Sequence, residues 1–413
     1  MRVPSLISYR FRWSPPMLAG LVLSLVVVTV YLIIAVNGYL MDLSVFRDAG
    51  LAFTSGLPLY SEDFPSSSGF RFIYSPFAAI VFAPMAWSDP VVLQVIWTSI
   101  NIALVWWILK VVLRQLSIPR PSLVAAALTG VALVLEPVRS NLGFGQVNIA
   151  LMALVVADCC GALPRRFRGI GIGIAAAIKI TPAAFGLVLL VRRDLPSIAR
   201  ALGAFLVTVG IGFVFLPKDS VWFWATEFFR SDRGGAHEFF RNQAVTGLLA
   251  RLGAQGMLKD AIWLLIVAMI IAAAAYAGHR FTRSGEPVLA LGVVALASLL
   301  AAPIAVTHHW VYVIMLIPLG VAPQYRSWRP LIAVAVTIFA IGPYFVLRWT
   351  FPGGWAGELA QQVIGNAQLL TALVLFVCAV RVAATRGRTG SDAAPLPASV
   401  SRQDAEEAVP SPV

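Results

Sequence analysis

Residues 17–36 read MLAGLVLSLVVVTVYLIIAV, a stretch without a single charge. A helix crosses the hydrocarbon of a bilayer with about 20 apolar residues, so this stretch is a membrane span. It is too long for the core of a signal peptide and lacks a convincing cleavage site, which makes it a retained signal anchor. Comparable runs recur along the 413 residues, of which 59% are hydrophobic and 12% charged. Mean hydropathy is +0.84, whereas soluble domains carry roughly a quarter of charged residues. The expected class is an all-α polytopic membrane protein. Residues 1–386 form one membrane domain, and 387–413, rich in Ser, Pro, Ala and Glu, form a disordered cytoplasmic tail.

The net charge of +12 encodes topology. Basic clusters fall at Arg2/Arg10/Arg12, Arg114/Arg120, Arg165/Arg166/Arg168, Arg192/Arg193/Arg200, Arg280/Arg283, Arg326/Arg329 and Arg381/Arg386/Arg388, in short loops that belong in the cytoplasm by the positive-inside rule. Residues 39–75, 136–146, 217–255 and 348–361 are longer, aromatic and richer in acids, and face outward. The arginines form no continuous stripe, so nucleic acid is not a partner. Spans are expected near 17–38, 91–114, 121–137, 147–163, 198–216, 256–278, 287–305, 310–323, 330–347 and 362–382. Residues 169–191 have arginines on both flanks. Two half-helices breaking at Lys179-Ile180-Thr181-Pro182 keep both flanks inside, and the proline suits such a break. About 12 membrane helices result, with both termini cytoplasmic. Cys159, Cys160 and Cys378 lie in or beside apolar segments and read as buried thiols.

Polar residues concentrate where the spans meet the outer face. Asp42 follows the first span directly, and Leu43, Phe46, Gly50 and Phe53 recur at 3 and 4, so 42–55 is expected as an interfacial helix with Asp42, Arg47 and Asp48 off its buried face. A second short apolar piece, 78–87, lies at the interface too. An amphipathic anchor explains this segment; so does a carboxylate tuned as a base by partial desolvation. Arg139, Asn141, Gln146 and Asn148 fill an outer turn, either as a satisfied turn or as a site. Lys179 lies deep between apolar half-helices, where an ammonium needs a carboxylate or an anionic ligand. Asn242 and Gln243 fit a helix cap or a binding role equally. His308 and His309 open a span; being about 100° apart on a helix, they are a poor pair for one metal ion, but one can donate to a phosphate.

Asp42-Leu43-Ser44-Val45-Phe46-Arg47, Tyr74-Ser75-Pro76-Phe77-Ala78-Ala79, Gly145-Gln146-Val147-Asn148, residues 173–182, Asn242-Gln243 and His308-His309-Trp310 together resemble the actinobacterial polyprenyl-phosphate-mannose-dependent α-mannosyltransferases. The resemblance runs from about residue 40 to 312. Ser75 and Ala244 depart from it, standing where the family often has proline and serine. It implies a GT-C glycosyltransferase fold in the plasma membrane and inverting, extracytoplasmic elongation of phosphatidylinositol mannosides, lipomannan or lipoarabinomannan, with an α-(1→2) linkage. The partners would be a polyprenyl-phosphate-sugar donor, a glycolipid acceptor and membrane lipids.

Such a donor carries its own leaving group, so no nucleotide and no cofactor are needed. Asp42 would take the acceptor proton, with Asp48 in reserve; on one helix the two point roughly 240° apart. Lys179, Arg139 and His308 or His309 would stabilise the leaving phosphate. Gln146, Asn148, Asn242 and Gln243 would hydrogen-bond sugar hydroxyls, and Tyr74, Trp222 and Trp224 would stack on pyranose faces. No ligand spacing commits to a divalent cation. A polyprenyl-phosphate-arabinofuranose donor fits the same logic. A lipid or ion transporter would explain Lys179 and the broken helix, but not acids gathered on the outer face.

Overall fold

The computed structural model describes residues 14–230, 235–349 and 352–385. Arg2, Arg10, Arg12, Arg386, Arg388 and the expected tail lie outside them. Regular structure among the described residues is helical, apart from one isolated bridge pairing Asn242 with Val306. The α-helices are α1 (Pro15–Asn37), α2 (Met41–Ser55), α3 (Pro76–Phe82), α4 (Pro90–Gln115), α5 (Pro121–Val134), α6 (Glu136–Phe144), α7 (Asn148–Cys159), α8 (Ile170–Ile178), α9 (Gly186–Val191), α10 (Leu195–Phe215), α11 (Pro217–Ala225), α12 (Val245–Arg251), α13 (Gly256–Arg283), α14 (Pro287–Ala301), α15 (Leu316–Val321), α16 (Arg329–Ile341), α17 (Gly354–Gly365) and α18 (Ala367–Thr385). Many open on proline, whose missing N–H is not needed in a first turn.

Five of the described helices, α1, α4, α10, α13 and α18, are long and apolar enough to cross a membrane. The other expected spans are built from shorter pieces. The one expected at 121–137 bends by 79° between α5 and α6, at Leu135, whose backbone is extended. The one expected at 147–163 is only the twelve-residue α7. The one at 310–323 is a 3-10 helix, Thr307–Met315, continued by α15.

Small residues let the long helices close up. Ser24 on α1 accepts from the Gly130 backbone N–H on α5 at 2.8 Å, and a Cβ on Gly130 would meet the Ser24 backbone at 2.7 Å. Close backbone approach of this kind replaces the hydrophobic drive that lipid does not supply. A large core lies among α4, α5, α7, α13, α14 and α18. A second forms around α2, where Phe46 stacks on Phe82 at 4.5 Å and meets the Tyr74 ring edge-on at 5.2 Å.

Residues 169–191 break as the sequence predicts. α8 ends at Ile178, Lys179 is extended, and a 3-10 turn (Thr181–Phe185) leads into α9. The flanking arginines meet at one end of this hairpin: Arg168 pairs with Asp194 at 3.5 Å, and Arg200 donates to the Arg168 and Arg165 carbonyls at 2.8 and 3.0 Å. α7 packs against α8, and Asp158 near its end caps α8 by accepting from the Gly169 and Ile172 N–H groups at 2.9 and 2.8 Å. The pair is therefore antiparallel, and Asn148 and Lys179 fall together at the end away from the arginines.

Candidate active site

Asp42 stands in the first turn of α2, where free backbone N–H groups favour a carboxylate. The start of that helix is fixed by the Leu40 N–H donating to Gln94 Oε1 on α4 at 2.9 Å. The α6–α7 turn is pressed against it. Gly145 takes φ of +73°, and a Cβ there would lie 2.7 Å from Leu43 Cβ, so only glycine meets both conditions. Trp97 Nε1 donates to the Gly145 carbonyl at 2.9 Å and Asn141 Nδ2 to the Gln146 carbonyl at 3.2 Å. Gln146 is thereby carried to Asp42, with which its side chain hydrogen-bonds. Tyr74 donates its hydroxyl to Gln146 Oε1 at 2.9 Å, which leaves the amide nitrogen of Gln146 for the carboxylate.

Lys179 comes to the same place from the helix break. Its Nζ donates to Asn148 Oδ1 at 3.1 Å, lies 2.9 Å from His309 Nε2, and sits 5.5 Å from the centre of the Tyr74 ring. Asn148 Nδ2 in turn donates to Asn141 Oδ1 at 3.3 Å and to the His308 carbonyl at 3.2 Å. One amide thus ties α6, α7, the break and the 3-10 helix together. A protonated Lys179 requires His309 Nε2 to accept, which puts the histidine proton on Nδ1. The His308 ring neighbours that of His309 at 4.8 Å and meets Phe144 edge-on at 5.8 Å. His308 Nδ1 is buried without a hydrogen-bond partner.

Burial pushes the Asp42 carboxyl above the usual carboxylate range, while the Gln146 hydrogen bond and the Lys179 charge pull it back. Burial likewise raises the Tyr74 phenol, and the Asp42 charge adds to the effect, so Tyr74 remains a hydrogen-bond donor at neutral pH. Asn148, His309, Thr181, Ser298 and Tyr312 line a cleft of about 460 Å³, counting its open mouth. The arrangement is a half-buried carboxylate able to accept a proton, an ammonium beside it, and two histidines beyond. Among the described residues no three His, Cys, Asp or Glu side chains gather as a metal site.

The other predicted residues lie elsewhere or are already engaged. Asp48, expected off the buried face of α2, is buried and accepts from the Ser67 N–H and hydroxyl, each at 2.7 Å, because the 60–75 loop folds over the helix. Arg139 is exposed and donates to the Val134 carbonyl at 3.3 Å, with no contact to Lys179 or the histidines. Asn242 Oδ1 accepts from the Ala305 and Ala244 N–H groups at 3.0 and 3.2 Å. Gln243 donates to the Gly365 carbonyl at 3.1 Å and accepts from the Leu369 N–H at 3.4 Å. Both amides hold backbone, and sugar hydroxyls would have to displace those bonds. Trp224 packs on Phe205, Phe223 and Phe228, and Trp222 is exposed.

Sequence reading passed over Glu136 and Tyr344. The Tyr344 hydroxyl donates to Glu136 Oε1 at 2.8 Å, and the Tyr344 ring lies 5.3 Å from the Arg241 guanidinium, which also covers Phe144 at 5.1 Å. An acid at a helix start and a tyrosine two hundred residues on give no joint signal until the chain is folded.

Residues 72–303 match Glycosyltransferase family 87. A polyprenol-phosphate-mannose-dependent alpha-(1-2)-phosphatidylinositol mannoside mannosyltransferase of Mycolicibacterium smegmatis is 32% identical over 85% of this chain and 86% of its own. The protein of the same name from Mycobacterium tuberculosis is 32% identical over 76% of each. A polyprenol-phosphate-mannose-dependent alpha-(1-2)-phosphatidylinositol pentamannoside mannosyltransferase of M. smegmatis is 30% identical over 75% of this chain and 70% of its own.

Proposed function

The chain belongs to glycosyltransferase family 87, and from that premise we propose that it moves mannose from polyprenyl-phosphate-mannose to a phosphatidylinositol-mannoside-type acceptor, forming an α-(1→2) linkage with inversion. The observation that carries this reading is the meeting of Asp42 with Lys179: the carboxylate reaches Gln146, Gln146 reaches Tyr74, and the ammonium covers the Tyr74 ring. A base and a cation brought side by side are what transfer from a lipid phosphate demands. The names of the relatives support mannose and an inositol glycolipid.

Asp42 accepts the proton of the acceptor hydroxyl as that oxygen attacks the anomeric carbon from the face opposite phosphate. The bond to phosphate breaks, its electron pair leaves with the phosphate oxygen, and a β-linked donor yields an α product. Lys179 and the histidines meet the charge that grows on the phosphate in a water-poor site. Asn148 and His309 hold the Lys179 ammonium in place. The arginine-rich end of the α8–α9 hairpin lies opposite the site, and by the positive-inside rule this supports an extracytoplasmic active site in the plasma membrane.

The test supplies purified protein in nanodiscs with radiolabelled polyprenyl-phosphate-mannose and a phosphatidylinositol mannoside. Label is expected in a larger glycolipid whose new residue α-mannosidase removes. Label that stays on the polyprenyl carrier, or transfer only from a polyprenyl-phosphate-arabinofuranose donor, would overturn the assignment.

A further inference from the structure

We propose that Arg241 is the cation that receives the departing phosphate, with the His308 ring as the donor beside it. This rests on the transfer reaction proposed above. Inversion places base and leaving group on opposite faces of the anomeric carbon, so the sugar ring separates Asp42 from the group that neutralises the phosphate. Lys179 is poorly placed for that task alone. It lies on the Asp42 side, over Tyr74, and its ammonium already engages Asn148 Oδ1 and His309 Nε2.

Arg241 stands at the far end of the same row of groups. From Lys179 the row runs through His309 at 2.9 Å, the His308 ring at 4.8 Å and the Phe144 ring at 5.8 Å, and reaches the Arg241 guanidinium 5.1 Å beyond. The guanidinium packs on two aromatic rings, Phe144 and Tyr344, and contact with ring faces leaves the N–H groups at its edge available. Among the described residues it makes no hydrogen bond and no ion pair. Its mounting is rigid, because Tyr344 is tied to Glu136 at 2.8 Å. The next two residues are fastened to the strand-like segment before the histidines, Gln243 N–H donating to the Ala305 carbonyl at 2.9 Å and the Ala305 N–H to Asn242 Oδ1 at 3.0 Å.

His308 adds the second observation. Its buried Nδ1 has no hydrogen-bond partner among the described residues, and a buried polar nitrogen left so is unfavourable. A phosphate oxygen held by Arg241 would supply the missing acceptor. The planar fork of arginine fits two oxygens of a phosphate monoester at once, and that monoester is what the reaction releases: the acceptor proton goes to Asp42, the new C–O bond forms at the anomeric carbon, and the old one leaves its electron pair on the phosphate.

Arg241→Gln and Arg241→Lys, in nanodiscs, test this by single-turnover transfer, by inhibition with polyprenyl phosphate, and by melting. Arg241→Gln is expected to lower kcat by about 10²- to 10³-fold, as loss of one charge-stabilising donor does. It should also weaken polyprenyl phosphate inhibition while leaving the KM for acceptor near wild type. Arg241→Lys keeps the charge and the ring contacts, so it should fold and recover binding but only part of kcat. A folded Arg241→Gln protein with wild-type kcat and inhibition overturns the assignment. So does an Arg241→Lys protein that melts normally and binds polyprenyl phosphate no better than Arg241→Gln. Wild-type protein that transfers no mannose overturns the functional reading instead, and the polyprenyl phosphate binding comparison then judges Arg241 by itself.

Discussion

Replacing Asp42 by asparagine separates catalysis from folding. The variant keeps the size of the side chain and an acceptor oxygen for Gln146, so a hydrogen bond that contributes about 0.5 to 1.5 kcal/mol is retained. What it removes is a carboxylate that burial disfavours. The Asp42 carboxyl titrates above its ordinary 3.8 in the folded protein. Between the unfolded and folded values the native state therefore binds more protons. Stability falls as pH rises through that window, and the ionised group is a net penalty above it. Asparagine lifts that penalty, so the melting temperature at pH 7 should hold or rise. Transfer should drop by about 10²- to 10⁴-fold, the share a general base supplies, or roughly 2.7 to 5.4 kcal/mol of barrier at 1.36 per decade. Single-turnover transfer from radiolabelled donor, run from about pH 4 to 8 beside melting curves, reads both. The wild-type rate should decline on its acid side at a pH above that of an unperturbed carboxyl, and the residual rate of the variant should lack that limb. A variant within threefold of wild type, or one that loses its rate only because it melts much earlier, would refute the base assignment.

Gly145→Ala forces a side chain onto φ of +73° and 2.7 Å from Leu43 Cβ; it should destabilise by about 1 to 3 kcal/mol and cut kcat by shifting Gln146, whereas Gly143→Ala, with open space around its Cβ position, should do neither. Asn242→Ala strands the Ala305 and Ala244 N–H groups and should lower the melting temperature by an amount equivalent to about 1 to 3 kcal/mol; the protein that survives should keep its KM for donor and acceptor. Arg139→Gln should leave stability within about 0.5 kcal/mol, as an exposed substitution does, with kcat and KM unchanged; a tenfold loss of kcat would bring Arg139 back into the site.

Several parts of this were readable from residues alone, for identifiable reasons. Lys179 stood out because an ammonium among apolar half-helices has few permitted environments, and Pro182 marked the break that carries it. Asp42 stood out because the first span ends just before it. Periodicity found α2 but not the fate of Asp48: a helix pattern reports which residues share a face, and it took the 60–75 loop to bury the other face as well. Asn242 and Gln243 looked like ligands for substrate because an amide offers donors and an acceptor to sugar and backbone alike. Arg139 and Arg241 are equivalent as sequence, each an arginine in a loop expected to face outward. Only the placement of Phe144 and Tyr344 tells them apart. The long spans were legible from apolar length, while the shorter ones were overdrawn, since a membrane protein can shield short helices behind longer neighbours.

The isolated bridge between Asn242 and Val306 has a practical consequence for mutagenesis. A loss-of-function scan scored by product alone would rank Asn242 with Asp42, since loosening that clamp lowers the amount of folded protein without touching a reacting atom. A census of chemical groups compiled from inactive mutants would therefore be too long. Chain segments that hold catalysts and the catalysts themselves come apart only when abundance or melting is recorded for every inactive clone.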